Sequence, residues 1–320
     1  MSSDSPVATK PEEPKGFLEK IGAALPVGLT ALATVFAGMS TGALQRAMYW
    51  KSQAAQDQSR ATDQWSLAGF KRDRALVMQT SAAQLRAISG YASVSFSSSS
   101  LPPLKIKADE ANAEQKRKQL EEAQAKALEW LQKKNVPPVS LPEITDEHIT
   151  SLTKANAARE SEAEVAKLAG KIKQESITRA IDDAEKKSKQ YDEEWSPVLA
   201  AAAEIAGFAE AGKADAAARS ARQAGGYELE ERRYRAEARL NQGIAALYEV
   251  RVRMSSAESD KHRHKSEQFF FAMLCAQIGA TISALALARR TKSVLWLLAG
   301  MIGLASLGIG ASVFLESYLQ

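Results

Sequence analysis

One cysteine in 320 residues excludes an intrachain disulfide, and that residue, Cys275, stands inside an apolar run where it says nothing about redox compartment. Histidine is nearly as scarce. His148 is isolated, and His262 and His264 lie two apart, a spacing that sends their rings to different sides of a helix instead of onto one metal ion. No complete phosphate loop of the form Gly-x-x-x-x-Gly-Lys-Ser/Thr is present, and no Gly-x-Ser-x-Gly turn offers a nucleophilic serine. The acidic pairs Asp182-Asp183 and Glu193-Glu194 adjoin lysines in helical sequence, the pattern of a solvated face. These absences predict a protein that is not an enzyme, with no catalytic residue, cofactor, metal or small-molecule substrate. The net charge of +4, from 42 basic and 38 acidic residues, is small and dispersed, which predicts no nucleic-acid partner.

What the chain does contain is three long charge-free runs. FFFAMLCAQIGATISALALA ends at Ala288 and VLWLLAGMIGLASLGIGASVFL begins at Val294, with only Arg-Arg-Thr-Lys-Ser between them. Each is about the twenty residues that cross a hydrocarbon core as a helix. Ile21 to Leu44 forms a third run, richer in Gly, Thr and Ser, with Pro26 expected in its first turns. Its length and the helix that follows it favour an uncleaved signal-anchor; cleavage near Thr41-Gly42-Ala43 is the alternative. The expected class is therefore all-α, an integral membrane protein with three transmembrane helices and a long helical, coiled-coil-like extramembrane stalk.

The expected division is a disordered cytoplasmic tail over 1–20, a first span over 21–44, the stalk over 45–266, a second span over 267–288, a basic connector over 289–293, a third span over 294–316 and a tail over 317–320. Inside the stalk, Ser- and Pro-rich loops are expected at 93–105 and 136–142. A first helix carries Leu44, Met48, Ala55, Trp65, Ala68 and Leu76 as its apolar stripe, and a second carries Leu120, Ala123, Ala127 and Leu131. Thr145 is the expected cap of a helix running to about Gln190. Ser196-Pro197 then restarts a helix that Gly225-Gly226 ends. Tyr227, Tyr234, Asn241 and Tyr248 recur every seven residues as a heptad seam, either in an intermolecular coiled coil or in a local antiparallel bundle. The two helices next to the membrane are expected to run on as rods, from Ile21 to about Ser89 and from Tyr227 to Ala288.

Topology is read from the short connector. Arg289, Arg290 and Lys292 belong in the cytoplasm, which places the N-terminus there and the stalk on the periplasmic or extracellular side. Lys261, Arg263 and Lys265 are expected at lipid headgroups, and Trp296 and Tyr318 at the two interfaces of the third span. Gly38, Gly42, Ala299, Gly303 and Gly310 predict close helix packing, with Gln277 as a polar tie between spans.

The stretches ALQRAMYWKSQAAQDQSRATDQWSLAGFKRDRALVMQTSAAQL (43–85) and FFFAMLCAQIGATISALALARRTKSVLWLLAGMIGLASLGIGASVFL (269–315) resemble an uncharacterised bacterial three-span group, the domain-of-unknown-function family numbered four-three-three-seven. The resemblance covers about a third of the chain and implies architecture and a bacterial inner membrane, with no reaction attached; 93–226 is longer than that group's pattern. The expected role is a membrane-anchored scaffold or accessory subunit, bound to lipid and assembled as a homo-oligomer or within a membrane complex. A gated pore or transport-associated subunit with Gln277 in its interior is the alternative.

Overall fold

The computed structural model describes residues 17–90, 96, 101–103, 112–133, 139, 144, 146–208, 215–288 and 294–319. Seven helices and no strand occur among them: α1 (Phe17–Ile88), α2 (Ala113–Lys133), α3 (Glu147–Ala158), α4 (Glu162–Ala169), α5 (Gln174–Gly207), α6 (Ala216–Ala288) and α7 (Val294–Leu319). α1, α6 and α7 each contain a stretch long and apolar enough to cross a membrane. The chain divides into two compact units, one of residues 1–52 with 255–320 and one of residues 53–254, so α1 and α6 contribute to both.

The first unit is a three-helix bundle built on small residues. Ser40 and Ser266 share hydrogen bonds through their hydroxyls and carbonyls, and seven residues further along α1 the Ala47 carbonyl accepts from Ser259 at 2.9 Å. Rising numbers on α1 meet falling numbers on α6, so the pair is antiparallel. Ser306 of α7 donates to the Ala272 carbonyl at 2.7 Å, and a Cβ added at Gly279 would lie 3.5 Å from the Ala299 carbonyl, again one heptad on in each helix. On the remaining side Leu29 packs on Gly303 and Phe36 on Gly310. Steps of seven between every pair are the signature of helices crossing at a shallow angle. Phe36, Phe269, Ala272 and Val313 form the core of this bundle.

An added methyl at Gly310 would collide with the Phe36 ring. Gly310→Ala is therefore expected to destabilise the bundle by about 1–3 kcal/mol, the usual range for overpacking. Gly38→Ala, with nothing within 4 Å of an added Cβ, should be near neutral. Unfolding titrations of both variants in mixed micelles check the ranking.

In the second unit α1 and α6 again run antiparallel, and the buried face of α1 is made of alanine. Ala54, Ala61, Ala68, Ala75 and Ala82 are all buried, one every seven residues, continuing a phase that Ala47 sets in the first unit. The expected stripe is corrected here: Leu44, Met48, Trp65 and Leu76 are exposed, as is Ala55, and only Ala68 of that set lies inside. Alanine wins the contact because a side chain without γ atoms lets two backbones approach, whereas a leucine would hold them apart.

Against the other side of α6, α2 and α5 contribute a larger core of Ala123, Ala127, Leu131, Trp195, Val198 and Ile205, with the Trp130 and Trp195 rings 4.4 Å apart. Three expectations on helix limits also change. The long helix expected from Thr145 is three helices: Asp146, not Thr145, caps α3 by accepting from the His148 N–H, Arg159 turns the chain at φ 56°, and Ser161 caps α4. Pro197 does not start a helix but lies inside α5, where burial of Trp195, Val198 and Ala201 outweighs the lost backbone hydrogen bond. Gly225-Gly226 does not stop a helix but lies within α6, because an added Cβ at Gly225 would sit 3.1 Å from the Phe96 ring and one at Gly226 3.2 Å from Ala206. Pro26, likewise, is inside α1, whose helix begins at Phe17.

Candidate functional site

The densest polar chemistry lies on α6 in the second unit. Asp57 is fully buried, and Arg251, 7% exposed, grips it with two bonds, Nε to Oδ2 at 2.9 Å and Nη2 to Oδ1 at 2.5 Å. Gln53 adds a third bond to the carboxylate at 3.3 Å. The Arg251 guanidinium also lies over the Tyr248 ring, 4.8 Å from its centre, and the Tyr248 hydroxyl donates to Glu185 of α5 at 2.6 Å. Burial, then the bond to Glu185, pushes the Tyr248 phenol up from its ordinary pKa. The chain Gln53–Asp57–Arg251–Tyr248–Glu185 thus joins α1, α6 and α5.

About two heptads along α1 is a second cluster. Buried Glu237 takes Lys71 on one oxygen and Arg233 on the other, and Arg233 is 3.8 Å from Asp192 of α5. Tyr234 receives Arg74 at 3.2 Å and has Lys71 and Arg233 over its ring. Burial, then the Glu237 charge, raises the Asp192 pKa, and burial raises that of Glu230. The Tyr191 hydroxyl is buried with no hydrogen-bond partner, and burial moves its pKa far up. Arg86–Glu228 at 3.0 Å and Trp65–Glu249 at 2.8 Å extend the cross-links between α1 and α6.

Chemically, this arrangement holds helices in register. Two separated charge clusters fit only one alignment, since a slip by one turn would leave Asp57 and Glu237 buried without partners. No group of three or more metal-ligating residues occurs among the described residues. A groove of about 360 Å³ lies beside Phe208, Arg219, Arg222 and Glu230, where the Arg222 guanidinium donates to the Phe208 carbonyl at 3.0 Å. In sequence, Gly207 to Lys213 has a phosphate loop's first spacing, but Ala214 replaces the metal-binding hydroxyl, Gly207 ends a helix and not a strand, and 209–214 lie outside the described residues.

Two of the four seam residues, Tyr234 and Tyr248, belong to this network. Asn241 and Tyr248 are buried, Tyr227 and Tyr234 half-buried, and the two later tyrosines face partners of their own chain. Among the helix-packing residues, Ala299, Gly303 and Gly310 are buried in the bundle. Gly38 and Gly42 are not in its contacts: each lies two residues beyond a position facing α6 or α7, hence on the far side of α1. Gln277 is exposed and, among the described residues, makes no side-chain hydrogen bond to another helix of the bundle. Lys261 and Arg263 are exposed and Lys265 is half-buried, while Arg289, Arg290 and Lys292 lie outside the described residues. Sequence reasoning missed Asp57 and Arg251; their signal was phase, since Asp57 stands three residues after Ala54 on the buried side of α1.

The raised Asp192 pKa gives a pH prediction with a definite sign. The native state holds this proton more tightly than the unfolded chain, so its contribution is present at low pH and is lost as pH rises through the folded-state value. Asp192→Asn is expected to flatten the fall in melting temperature over that window and to leave neutral-pH stability unchanged or slightly higher. A melting series across acidic pH checks it.

No family model, curated protein or solved structure matches the chain.

Proposed function

We propose that this chain is a non-enzymatic, membrane-anchored helical scaffold or accessory subunit of a bacterial inner-membrane complex. The bacterial setting comes from the family resemblance of 43–85 and 269–315. In this reading α1, α6 and α7 span the bilayer, the N-terminus is cytoplasmic, and residues 53–254 form an extramembrane stalk on the other side.

The observation that carries the reading is packing surface left unused by the chain itself. Gly38-x-x-x-Gly42 presents an open small-residue face in an apolar helix, of the kind that lets a second helix approach. In the second unit Leu67, Phe70 and Val77 follow helical three- and seven-residue steps on one exposed face of α1, with Phe70 53% exposed. The most buried charges of the same unit, Asp57 and Glu237, are meanwhile held in mutual ion pairs, which suits a rigid support better than a reactive site.

Mass measurement in mild detergent tests this. The wild-type chain is expected as an oligomer or with a co-purifying partner, and Gly38→Leu should reduce that mass without unfolding the chain, since nothing among the described residues lies within 4 Å of a Cβ added there. Ion flux through reconstituted protein that Gln277→Leu abolishes at unchanged mass would replace the scaffold by a pore. For orientation, impermeant labelling of intact cells should reach a cysteine at Ser98→Cys and spare one at Ser293→Cys; the reverse pattern inverts the topology.

A further inference from the structure

In the apolar run of α6 the buried residues are Phe269, Ala272, Ala276, Gly279, Ser283 and Ala286, spaced in helical steps of three and four. Phe270, Leu274, Gln277, Thr281, Ala284 and Ala288 follow steps of four and three on the opposite side, and all of them but half-buried Leu274 are exposed. Among the described residues, this outer side of α6 has no cover. Gln277 is the one Asn, Gln or charged residue of the run. It lies about 12 Å along the helix from Phe269, at 1.5 Å per residue, which is too deep for a glutamine side chain to reach headgroups.

The Gln277 amide has two N–H donors and a carbonyl acceptor, and among the described residues none of these is bonded. The Thr281 hydroxyl, one turn on, donates to the Gln277 backbone carbonyl at 2.9 Å and keeps an accepting lone pair. In hydrocarbon no water completes such bonds, and leaving them unmade is costly. The group that completes them must stand at the same depth. A charged group there would place an ion in the bilayer that a neutral amide cannot balance. A primary amide, in contrast, is its own complement. Two copies in one bilayer are related by a two-fold axis along its normal, which sets each residue of α6 opposite itself.

We propose that α6 packs parallel to α6 of a second copy of this chain, along the side that carries Phe270, Gln277 and Ala284, with the two Gln277 amides hydrogen-bonded to each other across the axis. The alternation of threes and fours keeps that side facing its copy, and the small Ala284 and Ala288 let the two backbones draw near. This deepens the scaffold reading and rests on its placement of α6 in the bilayer. The Gly38 side of α1 stays open to a different helix.

The test uses the purified full-length chain in vesicles of phosphatidylcholine and phosphatidylglycerol, with energy transfer between N-terminally labelled copies followed as the protein is diluted in lipid. Gln277→Leu is expected to raise the dimer dissociation constant about three- to thirtyfold, the span of hydrogen bonds between membrane helices. Gln277→Asn, which keeps the amide, should stay closer to wild type, and circular dichroism should report unchanged helix content for both. In a Cys275→Ser background, oxidation of Ala284→Cys should give a band at dimer mass, whereas Leu285→Cys, exposed on the flank of α6, should give none. Self-association unmoved by Gln277→Leu, or equal crosslinking at 284 and 285, would overturn the contact; the scaffold reading would still stand if Gly38→Leu lowers the assembled mass. A purified chain that is monomeric at every dilution, but that loses a co-purifying protein on Gln277→Leu, would overturn the second copy as occupant in favour of another protein's helix. Failure to enter vesicles would remove both this contact and the membrane reading.

Discussion

Arg251→Ala is expected to lower the unfolding free energy by about 3–5 kcal/mol, because it leaves the Asp57 carboxylate buried without its counter-charge. For a domain whose whole stability is of order 5–15 kcal/mol, that is a large fraction. The loss should come mostly from the stranded ion and not from the pair's own attraction. The double change Asp57→Ala with Arg251→Leu is therefore expected to recover most of it, since an apolar pair carries no desolvation cost. Denaturant unfolding of Asp57→Ala, Arg251→Leu and their double variant in detergent gives the coupling. Additive losses would mean that the two residues do not act as a pair.

The second large effect follows from the alanine face. Ala61 has no exposed surface, and a leucine there must push α1 and α6 apart or bend both; Ala61→Leu is expected to cost about 1–3 kcal/mol or more. Ala55, six residues earlier and exposed, should accept leucine within about 0.5 kcal/mol. Melting temperatures of the two variants decide the point. Equal effects, or a larger one at position 55, would restore the stripe of large residues as the contact face.

The contrast between those two positions shows where the sequence was legible. The apolar runs could be read because twenty residues without a charge have few other uses. The tyrosine heptad of α6 could be read because large aromatics stand out against Arg and Glu. The alanine heptad of α1 could not, since alanine is common on every face of that helix and only burial separates Ala54 from Ala55. Leu44, Met48 and Leu76 mislead because size ordinarily marks a core, whereas closeness is what this pairing selects. Pro197 and Gly225-Gly226 misled through local propensity, which the tertiary packing of Trp195 and the nearness of Phe96 override. The Asp57–Arg251 and Glu237 clusters join residues more than 150 positions apart, and nothing local marks those charges among the many others.

The account depends most on α1 and α6 of one chain pairing antiparallel in a single register, with Ser40 beside Ser266 at 3.1 Å between hydroxyls. In a Cys275→Ser background, oxidation of the variant carrying Ser40→Cys and Ser266→Cys is predicted to give a crosslinked band at monomer mass, while Ser40→Cys with Ser259→Cys, one heptad out of register, gives none. A crosslink found only at dimer mass, or formed as readily by the out-of-register pair, would contradict the intrachain pairing on which the fold and the proposed scaffold both rest.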